Sequence, residues 1–139
     1  MKKIYFGILV IVAFTSCKQK TADELIAAKW KCVEIDISKL EGYASHMSDK
    51  LSIEMLRSKY KESTAQFYKD KTYEQSIITY NYKENGQYKL INDGKYLICN
   101  HLDFRNNEKE EKFEILTITD DSLKLISEDN YIISFIKAK

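Results

Sequence analysis

The sequence predicts a mainly β domain: a small antiparallel up-and-down barrel of about eight strands, with one helix between strands 1 and 2, behind an N-terminal signal segment. Three observations carry this expectation. Segments rich in Tyr, Ile, Phe, Thr and Val recur from Trp30 to the C-terminus, and these residue types suit a pleated, half-buried surface. Clusters of Asn, Asp, Gly and Ser separate them, as tight turns require. Eight strands joined by hairpins leave two edges exposed, and closure into a barrel removes both.

The first strand is "WKCVEIDI", where Val33, Ile35 and Ile37 alternate onto one face and Trp30 and Cys32 onto the other. "AQFYKD", "TYEQSIITYNY", "QYKLI", "KYLIC", "EKFEILTIT", "SLKLI" and "NYIISFI" follow. Between them stand "YKDKT", "KENGQ", "NDGK", "RNNEKEE", "TDDS" and "SEDN". Their Asn-Gly and Asp-Gly pairs supply the positive φ angles of tight hairpins. One stretch departs from the strand pattern, "YASHMSDKLSIEMLRSKYKEST". There Ser48 is a candidate N-cap, and Met47, Leu51, Met55 together with Ile53, Leu56, Tyr60 form a broad helical apolar stripe. A shorter helix is expected over "ADELIAAK", where Thr21 and Glu24 have capping-box spacing. The chain has no proline and only four glycines, so neither a low-complexity linker nor a second domain is expected.

The front of the chain reads differently. Lys2 and Lys3 introduce eleven mostly apolar residues, Ile4 to Phe14, closed by Ala13, Thr15 and Ser16, a pattern of secretory signals. As a helix this run spans roughly 16 Å, about half the ~30 Å hydrocarbon core that a spanning segment must cross. The expected division is residues 1–16 as signal peptide, 17–24 as a flexible tether, and 25–139 as the barrel domain. Loss of Lys2 and Lys3 leaves twenty basic against 21 acidic side chains, a formal charge of −1 in place of +1. A chain so near neutrality has no basic excess for nucleic acid.

"AFTSC" resembles the lipobox of bacterial lipoproteins, with Ala13, Ser16 and Cys17 on the matching positions and Phe14 where leucine is usual. The resemblance implies a diacylglycerol thioether on Cys17, cleavage before it, and acylation of the new N-terminus by a palmitate-type chain. The membrane is then the first partner, because several acyl chains on one residue make a durable tether. Lys18, rather than an aspartate, follows the cysteine, and the resemblance then points to the outer membrane.

The remainder is similar to the small lipocalin-like lipoprotein domains of Bacteroidota. The stretches that carry this are "LIAAKW" (25–30), "GQYKLINDGKYLI" (86–98), "KFEILTITDDSLKLI" (112–126) and "YIISFIKAK" (131–139). Ala28 stands where the family has glycine, and Tyr88 where it has tryptophan. The resemblance implies a lipocalin-like barrel that binds or supports, and it brings no catalytic residues.

Candidate chemistry is sparse. No nucleophile elbow, phosphate-binding loop or HExxH motif is present. His46 and His101, with Asp103, are the one grouping suited to a metal or to acid/base work, and the expected reading is two partly exposed histidines. Asp120 and Asp121, and Glu128 and Asp129, fall in turns. The expectation is therefore no catalytic residue, no cofactor and no metal. Cys32 and Cys99 sit in strand segments as small buried hydrophobes or, in an exported protein, as a disulfide. Tyr80, Tyr82, Tyr88, Tyr96, Phe113 and Tyr131 are candidates to line a cavity for a small apolar ligand, with Trp30 plugging its closed end. The alternative is a barrel filled by these side chains, contacting an envelope protein through loops such as Arg105 to Glu111.

Overall fold

The computed structural model describes residues 19–42, 47–103 and 105–139. Eight antiparallel strands close into a barrel in sequence order: β1 Lys29–Asp36, β2 Thr64–Phe67, β3 Thr72–Ile77, β4 Tyr82–Ile91, β5 Tyr96–Leu102, β6 Glu108–Ile118, β7 Ser122–Ser127 and β8 Ile132–Lys137. Pairing of β1 with β8 completes the ring. Helix α1 spans Ala22–Ile26, α2 spans Ser38–Glu41, and α3, between β1 and β2, spans Met47–Tyr60. Cys17 and His46 lie outside the described residues.

The strands obey period-two alternation, with the apolar set turned inward. Ala65 and Phe67 on β2, Tyr73 and Ile77 on β3, Leu97 and Cys99 on β5, Leu123 and Leu125 on β7, and Ile133 and Phe135 on β8 are all buried. Lys31, Lys83, Lys89 and Lys124 stand exposed on the outer face. Such a face meets water, since each lysine held against hydrocarbon costs about 2–4 kcal/mol at the bilayer midplane. No described helix is long and apolar enough to cross a membrane.

β1 corrects the expected facing. The pairing with β8 slips between Cys32 and Glu34, so one residue is added and the phase reverses. Trp30 and Cys32 therefore share the inner face with Ile35 and Ile37, while Val33 is left exposed. A second slip between Ile115 and Thr117 on β6 likewise leaves Leu116 and Thr117 both outside and turns Ile118 inward.

The two ends are closed differently. α1 is held by the expected capping box, Thr21 Oγ1 accepting from the Glu24 amide and Glu24 accepting from the Thr21 amide at 2.8 Å. Residues 22–24, placed in the tether by composition, are thus its first turn. Lys20 pairs with Asp120 and Asp23 with Lys71, tying this end to the β6–β7 and β2–β3 turns. Trp30 is fully buried and its indole N–H donates to the Ile26 carbonyl at 3.0 Å, which seals the barrel there. The opposite mouth lies under α3. Among the described side chains of the expected stripe, Ile53, Leu56 and Tyr60 pack inward, whereas Leu51 and Met55 are exposed. The helix begins at Met47, so Ser48 lies inside it rather than before it.

Candidate functional site

The aromatic candidates divide between interior and surface. Trp30, Tyr88, Phe113 and Tyr131 lie inside the barrel and are buried. Tyr80 and Tyr82 do not, because the expected strand "TYEQSIITYNY" breaks after Ile77 into a 3-10 turn, Ile78–Tyr80, with Asn81 left-handed at φ 46°. Both rings are exposed. Tyr96 belongs to the outer face, where the ammonium groups of Lys95 and Lys112 lie 5.3 and 5.0 Å from its ring centre.

The interior aromatics fill the space they enclose. Phe67 meets Tyr88 edge-on at 5.0 Å and stacks on Tyr73 at 5.8 Å, and Tyr60 lies 6.1 Å from Tyr131. Tyr88 Oη donates to the Tyr68 carbonyl at 2.8 Å. Between them lies a partly open space of about 30 Å³, lined by Tyr60, Tyr73, Gln75, Cys99, Glu111 and Phe113 among others. That is room for about one water, whereas pockets for small organic ligands run to roughly 300 Å³ or more.

The site with chemistry lies at the α3 end of this interior and is polar. Glu84 (β4), His101 (β5), Tyr73 and Gln75 (β3) point inward and are buried. Lys59 on the last turn of α3 and Glu111 on β6 complete the group. Tyr73 Oη lies 3.2 Å from both Glu84 Oε1 and His101 Nδ1, and His101 Nε2 lies 3.4 Å from Glu84 Oε2. Lys59 Nζ reaches Glu111 Oε1 at 3.1 Å and Glu84 Oε2 at 3.6 Å. Burial pulls the Lys59 ammonium down, but Glu111 and Glu84 together outweigh it and hold its pKa above the ordinary value. Burial also pushes the phenols of Tyr60, Tyr73 and Tyr131 upward, so these groups stay protonated donors.

The sequence pattern hid most of this group for local reasons. "KENGQ" looked like a turn, yet β4 runs straight through it. Gly86 faces Tyr73 across the ladder, and a Cβ there would meet Asn100 O at 2.0 Å and Tyr73 Cε1 at 2.8 Å. The glycine therefore makes room for a ring and a neighbouring strand rather than for a positive φ. "RNNEKEE" looked like a loop, yet β6 begins at Glu108 and carries Glu111 inward in step with Phe113. The connection is instead a compact turn around Asp103, whose Oδ1 accepts from the amides of Arg105 and Asn107 at 2.8 and 2.9 Å. Asp103 is consequently a turn cap and does not join His101. His101 is buried rather than partly exposed. Alternation from Leu97 through Cys99 to His101 was the signal that could have placed it. Cys32 and Cys99 are free and buried, and burial pushes the Cys32 thiol up to about 11 and Cys99 well above its usual value.

No protein-family profile matches the chain, and no curated protein matches it. Among solved structures, the barrel is similar to the crystal structure of a DUF4847 family protein from Bacteroides vulgatus ATCC 8482. The TM-score is 0.51 at 15% sequence identity, over 83% of this chain and 95% of that one. At that identity the likeness carries the fold alone: this chain shares a small barrel architecture with a protein of a Bacteroides species.

Proposed function

We propose that this chain is a lipid-anchored cell-envelope lipoprotein, tethered through acyl chains on Cys17 and resident in the outer membrane, whose barrel is non-enzymatic and works through its surface. The observation that favours surface over interior is a volume: the interior space lined by Tyr60, Tyr73 and Phe113 measures about 30 Å³. The lipocalin-like reading with a small apolar ligand draws support from Trp30, Tyr88, Phe113 and Tyr131 inside the barrel. It requires those side chains to move apart, and repacking a filled core costs about 1–3 kcal/mol or more.

The polarity of the fold favours a partner at one particular end. The chain enters at the α1 end, beside the β2–β3, β4–β5 and β6–β7 turns, which is the end a lipid tether holds near the bilayer. Leu51 and Met55 on α3, with Ile78 and Tyr80 beside it, are exposed at the opposite end. That distal face fits an envelope protein better than the Arg105 to Glu111 segment, half of which is strand.

The reading is tested in cells by placing photo-crosslinkers at positions 55 and 80, with position 69 at the α1 end as control. A discrete protein adduct from the first two and not the third supports it. Absence of any adduct at 55 and 80, or a rise in Tm with a panel of fatty acids and isoprenoids, overturns it, since a ligand that binds only the folded state stabilises that state.

A further inference from the structure

We propose that Glu84, His101 and Glu111 form a binding site for a divalent transition-metal cation, zinc by its ligand chemistry, in which the ammonium of Lys59 occupies the cation position in the metal-free protein. One ligand atom from each of the three residues lies within 4.8 Å of the other two. The separation of His101 Nε2 from Glu84 Oε2 is 3.4 Å. Two ligands on tetrahedral zinc at bond lengths near 2.05 Å stand about 3.4 Å apart, so this edge already has the required length. Imidazole with carboxylates is a donor set suited to zinc, and it lacks the all-oxygen character that calcium and magnesium demand.

The surrounding hydrogen bonds are those of a metal site. Tyr73 has one hydroxyl proton and two neighbours at 3.2 Å, Glu84 Oε1 and His101 Nδ1. When Tyr73 donates to Glu84, Nδ1–H of His101 donates to Tyr73, and Nε2 turns its lone pair toward Glu84 Oε2. That order leaves the position between Nε2 and Oε2 to a cation. Tyr73 in this arrangement orients both a ligating imidazole and a ligating carboxylate, as partners of metal ligands do.

Charge and space agree. Lys59 faces two carboxylates, Glu84 at 7% exposure and Glu111 at 30%, and a dication in its place matches both. Gln75, directly across the ladder from Glu84, is 7% exposed and its amide nitrogen has no hydrogen-bond partner. It lines the 30 Å³ space together with Glu111, which places one water, or the amide oxygen itself after a flip, as fourth ligand. Glu111 also borders an open groove of about 710 Å³ lined by Asp49, Glu128 and Asp129. Lys112 shares Glu128 at 3.4 Å, and the groove remains acid-rich, a route that concentrates cations at the site. Lys59 is one-fifth exposed, so its ammonium swings out to solvent when the metal enters.

The test is calorimetric titration of Zn²⁺, and of Co²⁺ followed by its visible absorption, into the untagged full chain in detergent. His46→Ala serves as the background so that His101 is the sole histidine. The expected result is one equivalent bound, with an intense tetrahedral cobalt spectrum. Glu84→Gln and His101→Gln each remove saturable binding, and Tyr73→Phe weakens it by about 10–100-fold, the usual effect of a positioning partner. Lys59→Met tightens it and shows a larger zinc-induced rise in Tm than the unaltered chain, a readout that stands even where a ligand variant fails to fold. Absence of binding in both the unaltered chain and Lys59→Met overturns the proposal. Binding that persists unchanged in folded Glu84→Gln and His101→Gln overturns it too, as an ion held by groove carboxylates.

Discussion

Replacing Gly86 by alanine tests how the barrel is built around its polar end. The added Cβ would lie 2.0 Å from the Asn100 carbonyl oxygen and 2.8 Å from Tyr73 Cε1, where ordinary contacts run 3.4–4 Å. The Tyr73 ring is the end of a side chain, but it is packed on Phe67. The carbonyl belongs to β5 and cannot rotate away without opening the β4–β5 ladder. Overpacking of this kind costs about 1–3 kcal/mol, and each ladder hydrogen bond lost adds about 1 kcal/mol. A total near 3 kcal/mol is expected, a fall in Tm of roughly 10–15 °C for a domain of this size. Gly42→Ala is the control: its Cβ would meet nothing closer than 3.6 Å at an exposed αR position, so the change stays within about 0.5 kcal/mol. Thermal and urea unfolding of both variants decide the matter. A loss under about 1 kcal/mol for Gly86→Ala, or equal losses for the two, would refute the close-approach account.

Trp30→Phe removes the 3.0 Å indole bond to the Ile26 carbonyl, which keeps the Ala28 amide at 2.7 Å, and opens space at the sealed end; a loss of about 1–3 kcal/mol in urea unfolding is expected. Both free thiols are buried and held in the protonated form. Ellman's reagent at pH 8 should therefore label neither Cys32 nor Cys99 in the folded protein and both after denaturation; rapid labelling of the native state would contradict their placement. The Asp103 carboxyl is held below its ordinary value, first by the Asn107 amide and then by that of Arg105. Its contribution is complete above the unfolded value of about 3.9 and is lost as pH falls through the lower folded value. Amide exchange of Asn107 should accelerate over that range, and in Asp103→Ala the acid step should vanish.

Strand order, hairpin connectivity and the helix between β1 and β2 were legible because period-two alternation and turn residues report on the backbone directly. The errors have physical causes. A bulge at Val33 reversed the phase of β1, and no local residue type announces a bulge. The Asn85-Gly86 pair imitates a hairpin turn, but the glycine answers to the Tyr73 ring across the sheet, a contact between residues 13 apart in sequence. Glu84 and Glu111 looked solvated because charged residues are rarely buried unless paired, and their partners Lys59, Tyr73 and His101 come from three other elements. The closed end was easier to read, since Trp30 and the Thr21–Glu24 box are local signals. Tyr80 and Tyr96 misled for the opposite reason: tyrosine suits both faces of a strand, so its count says nothing about which face it takes.

The central claim is that this barrel is held to a membrane by its N-terminus, and the mass of the N-terminal peptide tests it most directly. Protein extracted from membranes with detergent should yield a peptide that begins at Cys17 and carries the added mass of a diacylglycerol and an amide-linked acyl chain, and Cys17→Ser should abolish both the lipid and the membrane attachment. An N-terminal peptide that still contains residues 1–16, or one that begins elsewhere without lipid while the protein remains membrane-bound, would contradict the account.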